Sequence, residues 1–193
     1  MTAALLESTS VESGHRALFD LLTGAAADHR LIDHPPEGRT DLASALRGHH
    51  VRQAAKCIVV RVKLDGKTVR YALTVVAGDR RVDFDAVARL FGGRRAGFAD
   101  GPTAERLTGC VSGSIIPFSF HRDLFLVVDP ELLAHEEIYF NAGRLDQSVA
   151  LATVDYLELA APLVEEVAVR QIPSGEREFD SPAGSRSHLA DQC

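Results

Sequence analysis

Along the chain the apolar positions change period several times, and each change marks an element. Positions 11–22 carry Val11, Ala17, Leu18, Leu21 and Leu22 on one helical face, with Ser10 as a cap and Gly24 near the end. Leu31 and Ile32 then lead through Asp33 and His34 into Pro35 and Pro36, an extended segment that the prolines stop. A second helix is predicted over 41–47, started by Thr40 or Asp41 and ended by Gly48. Two β-branched runs, 57–62 and 69–76, flank Asp65-Gly66-Lys67 and predict a hairpin.

After a turn at Ala77-Gly78-Asp79, helical spacing returns at Phe84, Val87, Ala88 and Phe91, and Gly92-Gly93 ends it. Thr103 is expected to cap a short helix over 104–107. Strands are expected at 124–128, 138–140 and 149–152, with turns at Asp129-Pro130 and 141–144, and a final helix over 153–161 headed by Thr153. Strands interleave with short helices, and the hairpin makes part of the sheet antiparallel. The class is therefore α/β with a mixed sheet, not a doubly wound parallel one.

One stretch fits none of these periods. Residues 108–118 read T-G-C-V-S-G-S-I-I-P-F, an apolar run holding two glycines and a proline. Glycine permits close backbone approach or a positive φ, and proline fixes φ and removes a donor, so the run describes a shaped loop. Taken alone it reads as a buried turn between strands.

Composition narrows the class further. The chain has 193 residues, 46% hydrophobic and 25% charged, which suits one globular domain. That domain is expected over 13–165, with a frayed segment at 1–12 and a disordered tail at 170–193. No apolar run reaches membrane-spanning length and no basic-then-apolar leader opens the chain, so a cytoplasmic protein is expected, with no membrane partner. The three cysteines, Cys57, Cys110 and Cys193, suggest a reducing compartment without a disulfide framework. The net charge of −6 conceals an asymmetry: residues 30–106 carry fifteen Lys and Arg against nine Asp and Glu, a local balance of +6. A basic middle can present a positive face to phosphate.

Few residues announce chemistry by themselves. Ser112 and Ser114 flank Gly113, but G-x-S-x-G does not occur and no His and Asp partners are placed to activate them. Cys110 sits in apolar context and reads as core. His49-His50 lack a completing ligand, so no metal site is expected, and no cofactor. His34 lies in a polar break before the prolines. Lys56 opens the first long strand, where it is either a solvated lysine, a point charge for a phosphate, or an amine of lowered pKa in a pocket.

Their order along the chain carries more than any one of them. His34-Pro35-Pro36, Ala55-Lys56, Val76-Ala77-Gly78-Asp79, Thr108-Gly109, Gly113-Ser114-Ile115-Ile116-Pro117-Phe118, Val128-Asp129 and Phe140-Asn141-Ala142-Gly143 together resemble the YbaK and prolyl-tRNA-synthetase-associated (ProX-like) editing-domain family, over about residues 13–160. The resemblance implies a strongly curved, barrel-like mixed sheet surrounded by helices, and hydrolysis of the ester that joins a wrong amino acid to tRNA. It matches Lys56 to a lysine that meets the tRNA end, and Gly113 and Pro117 to a G-x-x-x-P loop lining an aminoacyl pocket.

On that reading Lys56, Gly113 and Ser114 sit at the chemistry, Ser114 as pocket lining and not as nucleophile. His34, Ile115, Ile116, Pro117, Phe118, Asn141 and Gly143 bind substrate. An aminoacyl ester is already activated, so positioning, a water and backbone N–H groups facing the developing charge suffice. Branched Ile115 and Ile116 favour a small amino acid, alanine first, with cysteine and serine open, on tRNA-Pro. The expected partners are the 3′ acceptor end of a mischarged tRNA, met in trans, and a cognate synthetase. His135, near a family histidine, is not promoted. The alternative is a module of the same fold that binds tRNA, a nucleotide or an amino acid without turnover.

Overall fold

A computed structural model describes residues 13–170 of the chain. The expectations for 1–12, including Ser10 as a cap, and for the tail after Arg170 lie outside the described residues. In chain order the elements are α1 (Ser13–Gly24), β1 (His29–Asp33), α2 (Thr40–Arg47), a 3-10 turn (Val51–Gln53), β2 (Ala55–Lys63), β3 (Val69–Ala77), β4 (Arg80–Val82), α3 (Phe84–Leu90), β5 (Arg95–Phe98) and α4 (Gly101–Thr108). There follow β6 (Leu124–Val128), a second 3-10 turn (Leu132–Ala134), β7 (Glu137–Asn141), β8 (Gln147–Ala152), α5 (Thr153–Ala160), β9 (Leu163–Val164) and β10 (Ala168–Arg170).

The centre is a five-stranded sheet in the order β5-β2-β3-β6-β9. β2 pairs antiparallel with β3 and β5, whereas β3–β6 and β6–β9 are parallel, so the sheet is mixed as its sequence pattern predicts. A three-stranded antiparallel sheet, β1-β8-β7, leans on one face. Among the described residues a single parallel bridge, between Ala54 and Tyr139, joins the two sheets. They form no closed barrel, because the hydrogen-bonded ladder stops at the β5 and β9 edges.

β2 and β3 are buried on both faces, which is why they read as nearly continuous apolar runs. Ala55, Val59, Leu73 and Val75 face a core shared with α1, α4, α5 and the smaller sheet. Val60, Val62, Ala72 and Val76 face a second core closed by Val87 of α3 and by Val167. Buried Asp129 ties the layers: its carboxylate accepts from the Glu131 and Val167 N–H groups, and its own N–H donates to the Val75 carbonyl at 2.9 Å.

Two expected caps are replaced. Asp100 heads α4, accepting from the Thr103 N–H at 2.9 Å, so the helix starts earlier than Thr103. Thr153 lies inside α5 and its hydroxyl donates to the His135 carbonyl at 2.5 Å, leaving that helix without a side-chain cap. The short strands β4, β5, β9 and β10 were not predicted. With two to four residues each, they hold no periodicity to detect.

Candidate active site

Four chain segments converge where β2 begins: the stretch leading into α2, the Gly78 turn, the loop around Gly113, and the end of β7. They enclose a cavity of about 490 Å³. Gly78 is required at its rim, since a Cβ there would lie 2.4 Å from the Val51 carbonyl oxygen. Gly113 has φ +92°, and its backbone packs against Gly38, where a Cβ would come within 3.1 Å of the Gly38 Cα. Two glycines back to back let two loops share one wall.

Lys56 enters this cavity half-buried. Its ammonium donates to the Gly78 carbonyl at 3.0 Å and to the Arg80 carbonyl. Burial lowers its pKa from that of a free lysine, outweighing the attraction of Asp79, and Arg81 adds to the lowering. The amine is thus held by two carbonyl dipoles instead of a carboxylate.

Asn141 is the hub opposite. Its amide nitrogen donates to the Gly113 carbonyl at 2.9 Å and to the Glu37 carbonyl at 3.1 Å, clasping both loops. Its amide oxygen accepts from the Ser148 hydroxyl at 3.1 Å and from the Arg47 guanidinium. Arg47 lines the cavity, and desolvation alone brings its pKa down to about 10.

Of the residues expected from sequence, Lys56, Gly113, Ile115 and Asn141 line the cavity together. His34 stands behind the wall, with its Nε2 2.6 Å from the Ser148 hydroxyl that bonds Asn141, and its Nδ1 on the Pro35 carbonyl. Ser114 is fully buried and its hydroxyl donates to the Val111 carbonyl at 3.0 Å, so it does not line the cavity. Ile116 and Phe118 turn into the main core, Phe118 edge-on to Tyr156 with centroids 5.3 Å apart. Pro117 is anchored through its carbonyl, which accepts from the Tyr156 hydroxyl at 2.9 Å. Gly143, with φ +77°, approaches the His15 backbone on α1, away from the cavity.

The loop backbone divides in the same way. The Ser114 N–H is taken by the Val111 carbonyl at 3.0 Å, whereas the Gly113 and Ile115 N–H groups have no partner among the described residues. Other candidates have structural occupations. Burial pushes the Cys110 thiol up to about 11 and the Cys57 thiol further, so neither is a thiolate. His49 stacks on Tyr139 at 3.9 Å, and His50 caps the first 3-10 turn. Part of the basic middle is ion-paired, as in Arg30–Glu137, Arg52–Asp79 and Arg80–Glu131.

Sequence reasoning missed Arg47 and Gly38. A basic residue in the last turn of a helix complements the helix dipole, so Arg47 carries no sign that it points inward.

The aminoacyl-tRNA editing domain family model matches residues 34–159, a span containing every wall of the cavity. The chain belongs to this family. The editing-domain chain is 43% identical over 149 residues to the multifunctional Ser/Thr-tRNA deacylase ProXp-y of Escherichia coli K12, covering 77% of this chain and 89% of that one. A proline–tRNA ligase of Stenotrophomonas maltophilia is 25% identical over 152 residues, 78% of this chain but 26% of the ligase. Among solved structures, the hypothetical protein APE2540 superposes with a TM-score of 0.70 at 23% identity, over 79% of this chain and 99% of its own. A candidate trans-editing enzyme for prolyl tRNA synthetase gives 0.65 at 22%, over 80% and 96%. At those identities the two structures bear on the fold.

Proposed function

We propose that this editing-domain protein is a trans-acting deacylase that hydrolyses the ester of mischarged tRNA, with seryl and threonyl esters as its first substrates. The observation carrying the reading is that Lys56 and the Gly113 loop, far apart in sequence, share one cavity with Asn141. The identity to ProXp-y supports hydroxyl amino acids, serine among them, ahead of the alanine that branched Ile115 and Ile116 favour. Thr40 and Arg47 give the cavity a polar side, while Ile115 and Phe140 give it an apolar one. A site that hydrogen-bonds a hydroxyl discriminates more sharply than one that measures a methylene. Ile115 alone of the two isoleucines sets the size limit.

In this reading Lys56 meets the 3′ end of the tRNA as a positive charge. Water adds to the ester carbonyl carbon and the carbonyl π pair moves onto oxygen. The proton lost by the water passes through the neighbouring ribose hydroxyl to the departing ribose oxygen as the C–O bond breaks. The Gly113 and Ile115 N–H groups, without partners among the described residues, are assigned to the growing charge, so no protein nucleophile is needed. Specificity for one tRNA would come from a cognate synthetase, because phosphate contacts read no sequence.

The test is single-turnover hydrolysis of Ser-, Thr-, Ala-, Cys- and Pro-tRNA, with Lys56→Ala in parallel. Serine and threonine are released fastest. Release from none of the five would replace the deacylase with a binding module of the same fold.

A further inference from the structure

The cavity contains a cation without a counter-charge. Among the described residues no carboxylate pairs with Arg47, whose single hydrogen bond goes from Nη2 to the Asn141 amide oxygen. Its Nε–H is buried without a partner among the described residues. Arg39 on the same wall is different: it is exposed and paired with Asp41 at 2.9 Å. Taking an arginine out of water is costly unless something returns the lost solvation, and here the protein returns one amide oxygen. The missing negative charge is therefore to be supplied by what enters the cavity.

Its location says which charge. Arg47 bonds Asn141, and Asn141 bonds the carbonyl of Gly113, so one side chain separates the guanidinium from the loop whose Gly113 and Ile115 N–H groups are unspent. An aminoacyl ester is uncharged at its carbonyl until water adds. We propose that Arg47 is a catalytic residue of this site, donating from the terminal guanidinium N–H groups not spent on Asn141 to the oxyanion that forms on the ester carbonyl oxygen. The assignment rests on the deacylase reading for its turnover, but not for its preference for an anion. A guanidinium held in place beforehand in a desolvated cavity stabilises charge as it develops and needs no reorganisation.

The experiment compares the wild-type protein with Arg47→Gln and Arg47→Lys. Removing one oxyanion donor costs on the order of 100-fold or more in kcat, with KM changed by less than about threefold. Arg47→Lys recovers part of the rate. Melting temperature separates this from scaffolding: loss of an unpaired desolvated charge leaves it unchanged or raises it, whereas loss of a structural arginine lowers it. A raised KM at unchanged kcat would make Arg47 a phosphate anchor and overturn the proposal.

A second measurement does not depend on turnover. Adenosine carrying a 3′-aminoalkylphosphonate, a tetrahedral anion, and adenosine carrying the matching neutral 3′-amide are titrated by calorimetry. Wild type prefers the phosphonate by at least about tenfold, and Arg47→Gln abolishes the preference. Equal binding of both by wild type, or a preference that survives Arg47→Gln, overturns the proposal even where hydrolysis is seen. If wild type hydrolyses no ester but shows the Arg47-dependent preference, the deacylase reading fails and the anion site stands.

Discussion

The side-chain amide of Asn141 donates to the carbonyl of Gly113 at 2.9 Å, across 28 residues of chain. This contact sets the Gly113 loop against the end of β7, and the same amide holds the Glu37 carbonyl on the other side. Asn141 thus fixes two loops and the Arg47 guanidinium at once. It acts as a positioning residue, since its hydrogen-bonding capacity is spent within the protein.

Asn141→Ala and Asn141→Asp should fail differently. Alanine leaves the Gly113 and Glu37 carbonyls and Arg47 unpartnered, at a cost of about 1–3 kcal/mol in urea unfolding. Aspartate also loses both donors and sets a carboxylate oxygen against the Gly113 and Glu37 carbonyls, but it gives Arg47 a counter-charge, so its stability loss is of similar size. Deacylation should fall at least as far as in the alanine variant, because the cation is quenched. Unfolding and single-turnover rates measured side by side check both halves.

Lys56 predicts a pH dependence. Burial lowers its pKa from 10.5, so the charged form is lost sooner than in a free lysine as pH rises. Affinity for a non-hydrolysable 3′-amide aminoacyl-tRNA should decline along an alkaline limb that begins below 10.5, and Lys56→Arg should remove the limb. Stability moves the other way: between the folded pKa and 10.5 the unfolded chain binds more protons, so this group's contribution to stability rises with pH. Filter binding across pH and denaturation at matched pH test the pair.

Gly113→Ala should cost about 1–2 kcal/mol, because φ is +92° and the new Cβ would lie 3.1 Å from the Gly38 Cα. The loop must shift to relieve that contact, carrying the Ile115 wall with it. Hydrolysis should fall by more than the loss of folded protein accounts for, as read by rates taken well below the melting temperature.

Thr74 offers a change in the opposite direction. Its hydroxyl is fully buried in the central strand without a partner among the described residues. Thr74→Val keeps the shape and removes the stranded polar atom, so stability should rise by about 1 kcal/mol with the deacylation rate unchanged. A higher urea midpoint at constant slope is the expected reading.

Much of this architecture was legible in one dimension because it rests on local chemistry. The β2–β3 hairpin follows from β-branched runs around Asp65-Gly66, α3 from its apolar spacing and the glycines after it, and the mixed sheet from their combination. Lys56, Gly113, Ile115 and Asn141 were legible through their order along the chain, and they do meet at one cavity. Ser114, Ile116 and Phe118 were expected there too, but their side chains face the core. Sequence marks a loop without saying which of its residues face inward, since a loop has no period.

By itself, then, the sequence determined the strands buried on both faces, the helices that cover them, the presence of a shaped loop and the family to which the chain belongs. Tertiary structure decided which side chains share the cavity and which of them lack partners. Arg47 is the clearest case. On paper it is a surface residue ending a helix; in the fold its guanidinium is turned under Asn141, without a counter-charge beside the Gly113 loop. Whether a charge is paired depends on contacts between distant segments, and hydrophobic periodicity records only which face of an element is buried.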